Sequence, residues 1–246
     1  MGDVPPGVVE KLNRGERETR ELVEAFTIDF AVLMRHAGLP APALKRMRGG
    51  ASLSYTKRMR LAGELGLEHL GEPGIAALAS HASDTVRGWA CYMAGLAPGW
   101  SLGRRIACVR PLADDPHFGV REWAWLGIRE SIAHEPAASV RVLEPWTREP
   151  SAYLRRFATE ATRPRGVWAR HIGLFKEDPA MGLPLLEPLR ADPERYVQDS
   201  VANWLNDAAK TRAEWVRDLC RGWLAGSDCP ATARICARAT RSLPAS

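Results

Sequence analysis

Apolar positions along the 246-residue chain recur at helical spacing, and alternating Val/Ile/Thr runs and Asn-Gly or Asp-Gly hairpin turns do not occur. The pattern predicts an all-α protein. One short element repeats: an acid or Pro, a few residues, then an aliphatic and a polar residue that open a helical run. Its copies are Ser83-Asp84-Thr85-Val86-Arg87, Asp115-Pro116-His117-Phe118-Gly119-Val120-Arg121, Glu149-Pro150-Ser151-Ala152-Tyr153-Leu154-Arg155 and Asp192-Pro193-Glu194-Arg195-Tyr196-Val197-Gln198. Val86 to Val120 is 34 residues, Val120 to Leu154 is 34, and Leu154 to Val197 is 43. A weaker fifth copy, Cys229-Pro230-Ala231-Thr232-Ala233-Arg234, follows.

Such a period is that of two antiparallel helices with their turns, stacked because one hairpin cannot bury its apolar face alone. The Asp-Pro step suggests a proline in the first helical turn, with the acid before it facing the positive helix end. Leu96-Ala97-Pro98-Gly99-Trp100 reads as a turn between hairpins. The expectation is one domain over 1–246: an N-terminal helical cap (1–80) and repeats (81–246), forming a right-handed αα-superhelix, or solenoid, with a concave face.

The repeated helices divide into faces. Val120, Ala124, Gly127 and Ile128 share a packed side, as do Leu154, Phe157, Ala158 and Ala161, and then Val197, Val201, Trp204, Leu205 and Ala208. Opposite them stand Glu122, Trp125 and Arg129, then Arg156, Glu160 and Arg163, then Asn203, Asp207 and Lys210. Stacked repeats lie about 10 Å apart, so these groups would line one surface. A duplex fits such a groove, with arginines on phosphates and a carboxylate near a sugar. Taken singly, each group also suits a solvated helix face or, for the tryptophans, plain packing.

Composition changes this picture little. The formal net charge is +5, but only five of the 34 basic residues are lysine. Arginine forks suit phosphate, so the balance permits nucleic acid without establishing it. The five cysteines are odd in number and lack Cys-x-x-Cys spacing, which points to reduced thiols with no disulfide framework or metal site. With no signal-like or membrane-length apolar segment, a soluble cytoplasmic protein is expected. Between Phe30 and Gly63 there is no acidic residue, while Arg35, Lys45, Arg46, Arg48, Lys57, Arg58 and Arg60 occur around a Gly- and hydroxyl-rich stretch. Lys57, Arg58 and Arg60 are candidates for a phosphate-contacting arm, and a solvated helix face is the equal alternative.

Four strings carry a resemblance: Ser83-Asp84-Thr85-Val86-Arg87-Gly88-Trp89, Asp115-Pro116-His117-Phe118-Gly119-Val120-Arg121-Glu122-Trp123-Ala124, Ala161-Thr162-Arg163-Pro164-Arg165 and Tyr196-Val197-Gln198-Asp199-Ser200-Val201-Ala202-Asn203-Trp204-Leu205-Asn206-Asp207. In order and spacing, from about residue 20 to the C-terminus, they resemble the AlkC branch of the AlkC/AlkD family of HEAT-like repeat DNA glycosylases. The resemblance implies DNA repair by a monofunctional glycosylase acting on cationic N-alkylated bases, such as 3-methyladenine and 3-methylcytosine, in duplex DNA without base flipping. It implies Glu122 as catalytic carboxylate with Asp207 as a second acid. Trp168, Arg156 and Trp125 would contact the lesion or sugar, and Arg87, Arg121, Arg163, Arg165 and Asn203 the DNA. It implies no metal or other cofactor, double-stranded DNA as partner, no membrane, and a monomer. Some AlkC members continue into an immunoglobulin-like domain, and its absence after Ser246 would bear on DNA affinity.

The residue types suit that chemistry. A base alkylated at a ring nitrogen is already a good leaving group, so the developing oxocarbenium ion needs a nearby negative charge and a positioned water. A tryptophan can cover the cationic base. A non-catalytic DNA binder or a protein-binding repeat scaffold would share the fold. A metal hydroxylase of this fold would need several His-Glu steps, and only His134-Glu135 occurs.

Overall fold

The computed structural model describes residues 4–166 and 168–244. Among them every regular element is helical and no strand occurs. The helices gather into two compact units, Met1–Ile128 and Arg129–Ser246. The first holds α1 Pro6–Arg14, α2 Leu22–Phe26, α3 Phe30–His36, α4 Ala41–Gly49, α5 Tyr55–Leu70, α6 Pro73–Ala79, α7 Asp84–Leu96, α8 Leu102–Ala113 and most of α9 Phe118–His134. The second holds the end of α9, then α10 Pro136–Leu143, α11 Ala152–Glu160, α12 Gly173–Glu177, α13 Leu183–Leu186, α14 Arg195–Ala209, α15 Ala213–Ala225 and α16 Pro230–Ala239, with three short 3-10 turns.

The predicted packed faces are the packed faces. Val120, Ala124, Ile128, Ala158, Ala161, Val197, Val201, Trp204, Leu205 and Ala208 are all fully buried, with Leu154 and Phe157 nearly so. In the first unit α7 packs against α5, α6 and α8, and Asp84–Ala94 is buried on every side. This is the signature of a central helix. Gly95 and Gly127 permit a close backbone approach here, since a Cβ on Gly127 would strike the Cys91 carbonyl and one on Gly95 the Gly127 carbonyl. In the second unit α14 packs against α11, α15 and α16.

The repeated motif opens α7, α9, α11 and α14 as predicted, but not by the expected mechanism. Pro116, Pro150 and Pro193 lie before their helices, not in the first turn; only Pro230 of the weak fifth copy takes that position. The aspartates shape the preceding loop: Asp115 Oδ1 accepts the His117 N–H at 2.8 Å and Asp192 Oδ1 the Glu194 N–H at 2.9 Å. These are Asx turns, available to an acid two residues before the amide it binds.

The polar residue that ends each motif copy closes the same loop. Arg121 Nη1 donates to the carbonyls of Asp115 (2.7 Å) and Pro116 (2.8 Å), and Arg155 Nη1 to those of Glu149 (2.9 Å) and Pro150 (2.8 Å). Arg87 Nη1 does so to His81 (2.9 Å) and Ala82 (3.2 Å), and in the fourth copy Gln198 Nε2 to Asp192 (2.8 Å) and Pro193 (3.4 Å). Arg87 Nε also donates to Asp115 of the next copy at 2.8 Å, and Arg155 Nε to Asp192 at 2.6 Å. A recurrent side chain thus satisfies the loop carbonyls, and within each unit an arginine also ties one repeat to the next.

Candidate functional site

This clamp corrects two expectations. Arg87 and Arg121 are only 7% and 8% exposed and are committed to the loop carbonyls, so they brace repeats instead of gripping DNA. Each stands one turn into its helix, where an arginine stem is long enough to fold back over the preceding loop. Arg87 is held further by Asp115 and Glu18, which outweigh the cost of burial and raise its pKa above the ordinary value.

In the first unit Glu122 lies half-buried on α9. Trp125, one helical turn on, donates its indole Nε1–H to Glu122 Oε2 at 2.8 Å. That bond fixes the rotamer of the carboxylate. Trp125 is itself 3% exposed, which corrects the expectation that it touches a lesion or sugar: it orients Glu122 from within the core. Trp123 packs against Tyr55 and Tyr92.

The basic segment also divides. Lys57 is exposed on α5. Arg58 is half-buried, with its guanidinium 4.9 Å from the Phe30 ring centroid and 5.5 Å from that of Tyr55. Arg60 is paired with Glu64 at 3.2 Å.

The second unit collects a dense ionic network. Arg163, just after α11, donates Nη1 to Glu160 at 2.8 Å and Nε to Asp207 of α14 at 2.9 Å. Its side chain is only 11% exposed, so it links two acids and is not a free phosphate contact, contrary to expectation. Glu160 receives Ser200 Oγ–H at 2.7 Å, and Arg156 lies 3.6 Å away. Burial pushes the Glu160 carboxyl up, but Arg156 and Arg163, with the bonds from Arg163 and Ser200, outweigh it and hold it below the ordinary range. Burial opposes the Arg163 charge too, and Glu160 and Asp207 more than offset it. Asp207, 3% exposed, meets Arg163 through Oδ2 and Lys210 through Oδ1 at 3.3 Å. Arg156 stacks 4.4 Å from the Tyr196 ring centroid. Asn203 Oδ1 accepts from Arg241 at 2.9 Å.

Between α11 and α12 runs the turn that contains Thr162-Arg163-Pro164-Arg165. Trp168 stands on it with φ of 57°, the left-handed region, and 64% of its surface exposed. A bulky residue seldom adopts that conformation, and one that exposes an indole there is a candidate for function. Arg165 is half-buried, and its Nε meets no hydrogen-bond partner. Sequence reasoning assigned Arg129 and Glu160 to a surface; both are buried, and Ser200 and Tyr196 had no part in the expected site. Helical spacing placed Arg129 and Glu160 beside Glu122 and Arg156, but it gives no sign of whether a neighbour covers that side.

Chemically, Glu122 offers a fixed negative charge, Trp168 an exposed aromatic face, and Arg165 and Lys57 cations able to meet an anion. No helix among the described residues is long and apolar enough to cross a membrane.

Residues 120–220, which hold Glu122, Arg156, Trp168 and Asp207, match the family model described as DNA alkylation repair enzyme. A relative named "Uncharacterized protein YhaZ" from Bacillus subtilis (strain 168) is 32% identical over 115 residues, covering 47% of this chain and 31% of its own length. The solved structure of Pseudomonas fluorescens alkylpurine DNA glycosylase AlkC, bound to DNA containing an abasic site analog, superposes with a TM-score of 0.72 at 26% identity. That match covers 98% of this chain and 65% of the other, so the chain spans less than two thirds of both relatives.

Proposed function

We propose that this protein, whose residues 120–220 match the family model described as DNA alkylation repair enzyme and whose helical-repeat fold is that of AlkC, is a monofunctional DNA glycosylase. Its substrates are cationic N-alkylated bases in double-stranded DNA, 3-methyladenine and 3-methylcytosine among them, and it acts as a monomer without drawing the base into a deep pocket. The observation that carries this reading is the half-buried Glu122 carboxylate, held at 2.8 Å by the buried Trp125 indole inside the family segment.

The chemistry follows from the charge of the damaged base. A cationic base departs as a neutral molecule, so the scissile N-glycosidic bond needs no strong general acid. Electron loss from the sugar makes an oxocarbenium ion, which an ionised Glu122 stabilises through space. The same carboxylate orients and deprotonates the water that adds to the sugar carbon. The Trp125 bond keeps the Glu122 carboxylate aimed. Trp168 covers the lesion nucleotide through its exposed ring. Arg156 contacts the backbone or an acidic partner, and Asp207 acts as a second acid held in place by Arg163 and Lys210. Arg165, Asn203, Lys57, Arg58 and Arg60 contribute to phosphate binding, and affinity falls as salt rises.

The test is incubation with methylated duplex DNA and chromatography of the released bases. Release of free 3-methyladenine or 3-methylcytosine is expected. Salt-sensitive DNA binding without release would reject the enzyme and leave a structural DNA binder.

A further inference from the structure

Arg129, near the end of α9, is 2% exposed, yet it carries a full set of donors into the core. Nε donates to the Arg170 carbonyl at 2.9 Å, Nη1 to the Ala161 carbonyl at 2.6 Å, and Nη2 to the Arg163 carbonyl at 2.6 Å. The three acceptors sit at the two ends of the turn that bears Trp168. Two of them lie one and three residues after α11, and the third lies two residues beyond the indole. The turn is closed again by the Ile172 N–H on the Pro164 carbonyl at 3.1 Å.

A guanidinium is planar, and its donors leave in fixed directions. Three carbonyls bound to one such fork therefore have their mutual positions set to within hydrogen-bond tolerance. The arrangement is costly, since burial disfavours the charge and lowers the Arg129 pKa to about 10; Arg163 adds to this, and Glu160 and Asp207 partly offset it. An apolar side chain would fill the same space without that cost. What it would not do is hold the strained φ of 57° and the 64% exposed indole of Trp168 in place.

We propose that Arg129 is a positioning residue: its three-carbonyl fork fixes the backbone on either side of Trp168, at residues 161, 163 and 170, so that the indole is presented, already ordered, to the damaged nucleotide. This rests on Trp168 being the nucleotide-contacting group of the reading above. Ordering the turn before DNA arrives removes an entropic cost from the reactive complex.

The test compares wild type, Arg129→Lys, Trp168→Ala and the double variant, by single-turnover base release and by amide hydrogen exchange on the folded proteins. Lysine keeps the charge but cannot span three carbonyls. Arg129→Lys is expected to slow release on the order of 10- to 100-fold, as misplacement of a contacting group does. The double variant should be no slower than Trp168→Ala alone. Exchange should rise in the 163–170 segment of Arg129→Lys and stay unchanged elsewhere. Unchanged exchange in that segment, or losses that multiply in the double variant, would overturn the assignment of Arg129. Full activity in Trp168→Ala overturns the Trp168 reading instead, and the exchange result still decides whether the fork holds the turn. Should Arg129→Lys not fold, limited trypsin digestion of the unmodified protein answers the same question. A fixed turn resists cleavage after Arg165 and Arg170, and early cutting there overturns the proposal.

Discussion

Glu160→Gln isolates the electrostatic part of the second unit's buried network. The substitution preserves shape and can still accept from Ser200, whose hydroxyl lies 2.7 Å from Oε2. It removes the charge that faces Arg163 at 2.8 Å and Arg156 at 3.6 Å. Breaking one partner of a buried ion pair costs about 3–5 kcal/mol when the other charge is left alone. Arg163 is not left alone, because Asp207 remains at 2.9 Å, so about 2–4 kcal/mol is expected. For a chain of this size that corresponds to a fall in melting temperature of roughly 5–15 °C.

The sign with pH follows from the direction of the shift. The folded carboxyl titrates below its ordinary value of 4.5, so its contribution is complete above that value and is lost as pH falls through the depressed folded pKa. Melting curves by circular dichroism, run from neutral pH into the acid range, should show wild type and Glu160→Gln far apart at pH 7 and converging below about pH 4. A variant that melts within about 1 °C of wild type at pH 7, or a gap that persists unchanged through the acid range, would refute the reasoning.

Three other substitutions separate bracing from contact. Trp125→Phe keeps the ring and removes the Nε1–H bond to Glu122; base release should fall about tenfold, the worth of one charge-assisted bond, with DNA affinity unchanged in a titration. Arg87→Ala should lower the melting temperature by stranding buried Asp115, while the salt dependence of DNA binding, read by fluorescence anisotropy, stays that of wild type. Arg165→Ala should do the opposite, leaving the melting temperature unchanged and reducing the slope of log affinity against log salt by about one.

What was legible in the sequence was periodic. The apolar positions around Val120, Leu154 and Val197 repeat at helical spacing, and that pattern carries the helices, the repeat and the packed faces. The motif strings likewise single out the segment around Glu122. Contacts made between elements were not legible. Arg87 and Arg121 look like surface cations in a linear string, and only the folded loop shows the carbonyls they close. Trp125 and Trp168 are the same residue type, yet one is 3% exposed and the other 64%, because one points into the core and the other rides a left-handed turn. Arg129 reaches acceptors 32 to 41 residues away in sequence, a separation that helical periodicity does not encode.

The most direct test of the account is base release from methylated duplex DNA by Glu122→Gln against wild type, with DNA binding measured on both. The account predicts that the variant binds as wild type does and releases methylated bases at least about 100-fold more slowly, since the carboxylate proposed to stabilise the sugar cation has lost its charge. Release at the wild-type rate by Glu122→Gln would contradict it and move the catalytic charge to another residue.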